Sequence, residues 1–198
     1  MFLKEEVIHT IVIEKSEFIT YMKRCDSVEE YKEYLSSIKK KHYDATHHCS
    51  AFISNEIKRS SDDGEPAGTA GVPILSTLEK KGMENTCAIV VRYFGGIKLG
   101  AGGLIRAYGN AVSETIARAK CYEEVLIDKY EISLPYDVAQ KLDHYLRSHT
   151  TIIDTAYDLE VTYTYITNDD IIDDIKAITR GKAPTFIAKE IIQKEIRG

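Results

Sequence analysis

The chain has no long apolar run. Nothing in its 198 residues approaches the roughly 18 consecutive apolar residues that a spanning helix needs, which excludes a helical membrane protein. Its opening, MFLKEEVIHTIVIEKSEF, carries acids where a signal peptide is basic and has no small-residue cleavage site, so secretion is not expected. Paired cysteines are missing as well. Cys25, Cys49, Cys87 and Cys121 lie tens of residues apart with no CxxC, and a 22.4 kDa chain can build a core without disulfides. Four small buried thiols in a reduced, cytoplasmic protein are the expectation. Positive charge is also short: 26 Lys and Arg against 31 Asp and Glu give a net charge of −5, so the whole-chain field does not advertise a nucleic-acid binder. Glycine is scarce except in one place, since ten of the twelve fall between Gly64 and Gly109.

Charge is distributed as unevenly as glycine. Residues 57–110 hold seven Lys and Arg against five acids, whereas residues 125–198 hold nine against thirteen. Any site for a polyanion therefore belongs to the first half and is local.

Periodicity orders the elements. Val7–Ile13 and Glu17–Arg24 read as strands around a polar turn. Ser27 opens a helix with the capping box SVEE, an apolar face of Val28, Tyr31, Leu35 and Ile38, and cations at Lys39–Lys41 that suit its negative end. His48–Ile53 is β-like. A glycine-rich loop, Arg59–Pro73, leads into a short helix over Pro73–Lys81. Cys87–Val91, five apolar residues bounded by polar ones, predicts a strand covered on both faces. A second glycine-rich loop, Arg92–Gly103, precedes a helix over Gly102–Ala119.

From Val125 the pattern changes. Strands are predicted at Val125–Leu134, Thr151–Ala156, Leu159–Ile166 and from Thr185, with helices at Tyr136–His149 and from an Asn168 cap, through Asp169 and Asp170, to Gly181. The order β-α-β-β-α-β is the ferredoxin-like split βαβ. Two domains follow, residues 1–124 and 125–198, in an α+β chain.

The chemistry concentrates in the two loops. A strand, a glycine-packed turn and a helix start offer backbone N–H groups to an anion at Gly95, Gly96, Gly100, Gly102 and Gly103. Arg59, Arg92, Lys98 and Arg106 supply charge around that cradle, and Tyr93, Phe94 and Tyr108 could stack on bases. The string matches neither GxxxxGK[ST] nor GxGxxG, so tight turns and close packing explain the same glycines. In the first loop Asp62, Asp63 and Glu65 could hold Mg²⁺, yet acids among Ser, Gly and Pro also make a solvated turn, and no metal or other cofactor is expected. His47, His48 and Cys49 lack the spacing of a zinc site, and Ser60 or Ser61 with a histidine and Asp62 lacks the nucleophile elbow of a hydrolase.

Three blocks, THHCSAF (Thr46–Phe52), RSSDDGEPAGTAGVPIL (Arg59–Leu75) and VVRYFGGIKLGAGGLIRAY (Val90–Tyr108), resemble the signatures of the IMPACT/YigZ family. Asp62, Asp63, Gly64 and Glu65, and then Arg92, Tyr93, Gly95, Gly96 and Gly100, match its motif positions. The resemblance implies an N-terminal left-handed βαβ domain like those of the GHMP kinases and domain IV of elongation factor G. It also implies a C-terminal domain similar to domain V of that factor. Together with the local basic and glycine-rich surface of residues 57–110 it points to regulation of translation through RNA or the ribosome, while the acidic C-terminal domain, read by itself, could dock a basic protein partner. The alternative is a phosphate- or nucleotide-binding enzyme that uses the glycine loops. Eukaryotic members carry an N-terminal RWD domain, for which the residues before Val7 are not expected to leave room.

Overall fold

The computed structural model describes residues 1–54 and 57–196. The chain is mixed α/β, with five helices and two antiparallel sheets among the described residues. In chain order the elements are β1 (Phe2–Leu3), β2 (Val7–Ile13), β3 (Ser16–Arg24), α1 (Val28–Lys41), β4 (His47–Ser54), β5 (Ile57–Ser61), α2 (Gly71–Lys80), β6 (Thr86–Tyr93) and α3 (Gly100–Ile116). Then follow β7 (Cys121–Leu134), α4 (Tyr136–His149), β8 (Thr151–Tyr157), β9 (Val161–Thr167), α5 (Ile172–Ile178) and β10 (Thr185–Ile196). Contacts divide the chain into two compact units, one built on Met1–Glu123 with Glu195 and Ile196, the other on Glu124–Lys194.

The first unit is organised by β6. Its sheet runs β2-β3-β6-β4-β5, and β6 is antiparallel to both β3 and β4. β3 and β4 are therefore parallel, with β6 between them and α1 as their connection. Because side chains alternate along a strand, β6 serves two cores. Ala88 and Val90 face Phe18, Met22 and the α2 and α3 residues Ile74, Leu78, Tyr108 and Val112, while Ile89 and Val91 face Tyr21, Leu35 and Ile38 on the α1 side. Cys87 to Val91 are fully buried, as a continuous apolar run requires.

Local chemistry sets the boundaries. Ser27 Oγ accepts the Glu30 N–H at 3.1 Å, while the Glu30 carboxylate takes the N–H of Asp26, one residue before the cap. The turn between β2 and β3 has positive φ at both Glu14 and Lys15, the pattern that suits a two-residue hairpin. Two strands lie outside the sequence prediction: β1, which pairs Leu3 with Cys121, and β5, which lies where the first loop was expected to begin. β5 is exposed along its whole length and is held by its register with β4, so it shows no alternation to read.

In the second unit the sheet order is β10-β7-β9-β8, and Leu134, Leu142, Leu146, Tyr163, Tyr165 and Ile175 share one core. Asn168 does not cap the last helix. Its side-chain amide donates to the Leu126 carbonyl and its Oδ1 accepts the Asp128 N–H, which ties it to β7 and delays α5 to Ile172, with Asp173 and Asp174 in the first turn. Gly181, at φ +99°, closes the helix by donating to the Lys176 carbonyl. Among the described residues no helix is long and apolar enough to cross a membrane.

Candidate anion site at the start of helix α3

The residues between β5 and α2 form a compact turn held by their own acids. Asp62 accepts the N–H groups of Gly68, Ala70 and Gly71 at 2.8–2.9 Å, which secures the entry to α2 without any side-chain cap at Ala70. Burial raises the Asp62 carboxyl, but the three amide bonds outweigh it and hold the group below its ordinary value. Asp63 takes the Lys39 ammonium and the His48 N–H, each at 2.7 Å, and these likewise outweigh burial and lower its carboxyl. Gly64, at φ +90°, then turns the chain so that Glu65 points inward.

Glu65 is the departure from a solvated acidic turn. Its side chain is 4% exposed and lies against Arg92, which is 5% exposed. Arg92 Nη1 donates to Glu65 Oε1 at 2.5 Å, and the Tyr108 hydroxyl donates to the same oxygen at 2.7 Å. Arg92 Nη2 donates to Ser16 Oγ at 3.3 Å, and the guanidinium lies between the rings of Phe18 and Phe94. Its Nε is buried with no hydrogen-bond partner. Burial raises the Tyr108 hydroxyl, reinforced by Cys49 and Glu65, so it is a firm donor.

His47 completes the group. Its Nδ1 donates to the Asp63 carbonyl at 2.9 Å, since a carbonyl can only accept, and its Nε2 faces Glu65 Oε2 at 3.8 Å. Sequence spacing rightly separates His47 from His48: His48 Nε2 bonds the His42 carbonyl instead.

α3 begins beside this cluster. Leu99 contributes no side-chain cap, so the first amides of the helix have no acceptor within it. A cavity of about 440 Å³ lies between the helix start (Lys98 to Ala101), His47 and Glu65, and Phe94 and Pro66. An adjoining groove of about 460 Å³ has Lys98, Gly103, Arg106 and Asn110 along it. Lys98 and Arg106 are exposed.

The remaining predicted residues divide. Gly95 is a packing glycine, because a Cβ there would stand 2.0 Å from the Lys15 carbonyl carbon, and its N–H donates to Ser16 Oγ. Gly96 and Gly100 have φ of +86° and +69° with open space beside them, and Gly102 lies by the Arg106 guanidinium. Tyr93 points to the opposite face of the sheet, where its hydroxyl meets His42 and Asp44. Arg59 is exposed on β5, opposite Phe52, and does not line the cavity. Ser16 and Thr46, which hold the loop from across the sheet, had no signal beyond ordinary strand and loop residues.

The first unit is thus an antiparallel sheet with two helices on one face and a buried acid–arginine pair beneath the open end of the second. The Impact N-terminal domain model matches residues 14–116, and the chain belongs to the IMPACT family. It is 49% identical to the IMPACT family member YvyE of Bacillus subtilis over 148 residues, which is 73% of this chain and 68% of that one. It is 41% identical to the IMPACT family member YigZ of Escherichia coli over 129 residues, 63% of each chain. A crystal structure of a hypothetical protein aligns over 96% of both chains at 31% identity with a TM-score of 0.61. The two-domain translational regulator Yih1 shows a partial likeness, at 22% identity over 59% of this chain and 45% of that one, with a TM-score of 0.37.

Proposed function

We propose that this protein acts in translation by holding RNA or the ribosome through the phosphate-facing surface at the start of α3. The observation that carries this reading is exposed Lys98 and Arg106 along one groove, with Lys98 shared by the adjoining cavity into which the uncapped first turn of α3 opens. Oxyanions are stabilised there by helix N–H groups and full charges, with little dependence on base sequence and a strong dependence on salt. Membership of the IMPACT family supports the link to translation. On this reading the first unit is a left-handed βαβ domain of the kind found in elongation factor G domain IV. The strand order β10-β7-β9-β8 supports a ferredoxin-like second unit like domain V.

Arg92 is not a phosphate ligand in this proposal, because Glu65 and Ser16 occupy two of its nitrogens in the interior. A charge-reversing change there would set two carboxylates together out of water and endanger the fold. The test therefore uses Lys98→Glu with Arg106→Glu, both on the surface. Wild-type protein is expected to co-sediment with ribosomes at low salt and less at moderate salt, and the double variant to stay in the supernatant with unchanged melting. Equal pelleting of the variant would overturn the assignment.

A further inference from the structure

The cavity at the head of α3 has a polar division of its own, apart from the groove along Arg106. On one side stand donors: the amides at the first turn of α3 and the Lys98 ammonium. On the other stand Glu65 Oε2, an acceptor, and His47 Nε2, an acceptor when the ring is neutral, since His47 uses Nδ1 for the Asp63 carbonyl and Glu65 gives Oε1 to Arg92 and Tyr108. What these residues leave over, His47 Nε2 and Glu65 Oε2, face one another at 3.8 Å, too far apart to satisfy each other. Between the two sides the wall is apolar, with Pro66, Leu104 and the half-exposed ring of Phe94.

Glu65 Oε2, on a side chain only 4% exposed, points to an occupant, because a buried carboxylate oxygen without a hydrogen-bond partner is rare in native interiors. Charge also selects. Arg92 and Glu65 cancel, so Lys98 leaves the cavity one positive charge in excess. A ligand matched to this space carries one oxyanion for the helix end, an apolar body for the wall, and a neutral donor for the two acceptors.

The geometry points to a small-molecule site for a hydroxy-substituted organic oxyanion, with its carboxylate or phosphate at the α3 amides and Lys98 and its hydroxyl donating to His47 Nε2 or Glu65 Oε2. This site does not rest on the RNA reading, and ribosome pelleting plays no part in its test. A hydroxyl lost from such a ligand leaves the acceptor it had paired without a donor, which is where the selectivity arises.

The full chain is titrated with 4-hydroxybenzoate and 4-hydroxyphenyl phosphate, with benzoate and phenol as controls, using ligand-observed NMR and thermal shift. At least one hydroxy-oxyanion is expected to bind, the carboxylate and phosphate arms showing which headgroup the helix end prefers. Benzoate is expected about tenfold weaker through the missing hydrogen bond, and phenol weaker still. Ala101→Trp, an exposed position on the first turn of α3, fills the mouth and is expected to abolish binding. Lys98→Met gives a second loss should the tryptophan variant fold poorly. Absence of binding by every probe at millimolar concentration overturns the proposal. So does equal affinity for benzoate and 4-hydroxybenzoate, or unchanged binding by folded Ala101→Trp.

Discussion

Arg92 and Glu65, 27 residues apart in sequence, meet at 2.5 Å with both side chains withdrawn from water. Tyr108 on α3 donates to Glu65, and Ser16 on β3 accepts from Arg92. The desolvation cost of the two charges is offset only while both are present, so removing one strands the other. Glu65→Gln and Arg92→Met are each expected to destabilise the fold by about 3–5 kcal/mol. The double variant Glu65→Gln with Arg92→Met should lose less than the sum. Urea unfolding of all four proteins gives the coupling directly, and strict additivity would show the pair to be independent.

Asp62 and Asp63 carry an acid sensitivity. Both carboxyls are lowered in the folded chain, so their contribution is complete above the ordinary carboxylate range, near pH 4, and is lost as pH falls through their folded values. Asp62→Ala is expected to cost about 1–3 kcal/mol at neutral pH, because three backbone N–H groups lose their acceptor. The same variant should show a shallower fall in stability between pH 5 and pH 2, roughly the interval in which a lowered aspartate titrates. Unfolding midpoints across that range check both parts.

Gly95 tests whether the second glycine loop is a packing device. Its α-carbon lies so close to the Lys15 backbone that a methyl group has no room, and the obstacle is main chain rather than a movable side chain. Gly95→Ala is expected to destabilise by about 1–3 kcal/mol or more, whereas Gly96→Ala, beside open space, should cost only its positive φ. Comparable losses in thermal melts for the two variants would contradict the close approach.

Cys49 should be chemically silent. Burial pushes its thiol up to about 12, and the sulfur lies 3.2 Å from the Tyr108 hydroxyl and 3.0 Å from the Asp62 carbonyl. At pH 8 iodoacetamide is expected to leave it unmodified in the native chain and to label it readily in urea. Peptide mass spectrometry with time distinguishes the two.

Much of the first unit was legible because the signals were local. Ser27 begins α1, and the five apolar residues from Cys87 to Val91 announce a strand covered on both sides. The glycine loops stood out by composition. What escaped depended on distance: β5 reads as polar loop because pairing with β4 rather than a buried face holds it, and Gly95 reads equally as an anion-facing amide or a packing glycine until Lys15 is placed beside it. Glu65 sits in an acidic, Ser- and Gly-rich string whose partner lies on another strand, so its burial had no local mark. Tyr93 follows Arg92 directly, and strand alternation sends the two to opposite faces of the sheet.

The contact between the β2–β3 hairpin and the second glycine loop also has a timetable. Ser16 Oγ receives donors from Arg92 and Gly95, 76 and 79 residues further along the chain. At about 5–20 residues per second of synthesis, the hairpin waits roughly 4–16 s for the segment that secures it. Through that interval its polar turn is complete while the inward face of Phe18 and Met22 has no β6 to meet. A ribosome paused between these two points would hold an exposed hydrophobic ribbon, a substrate for chaperones rather than a folded domain.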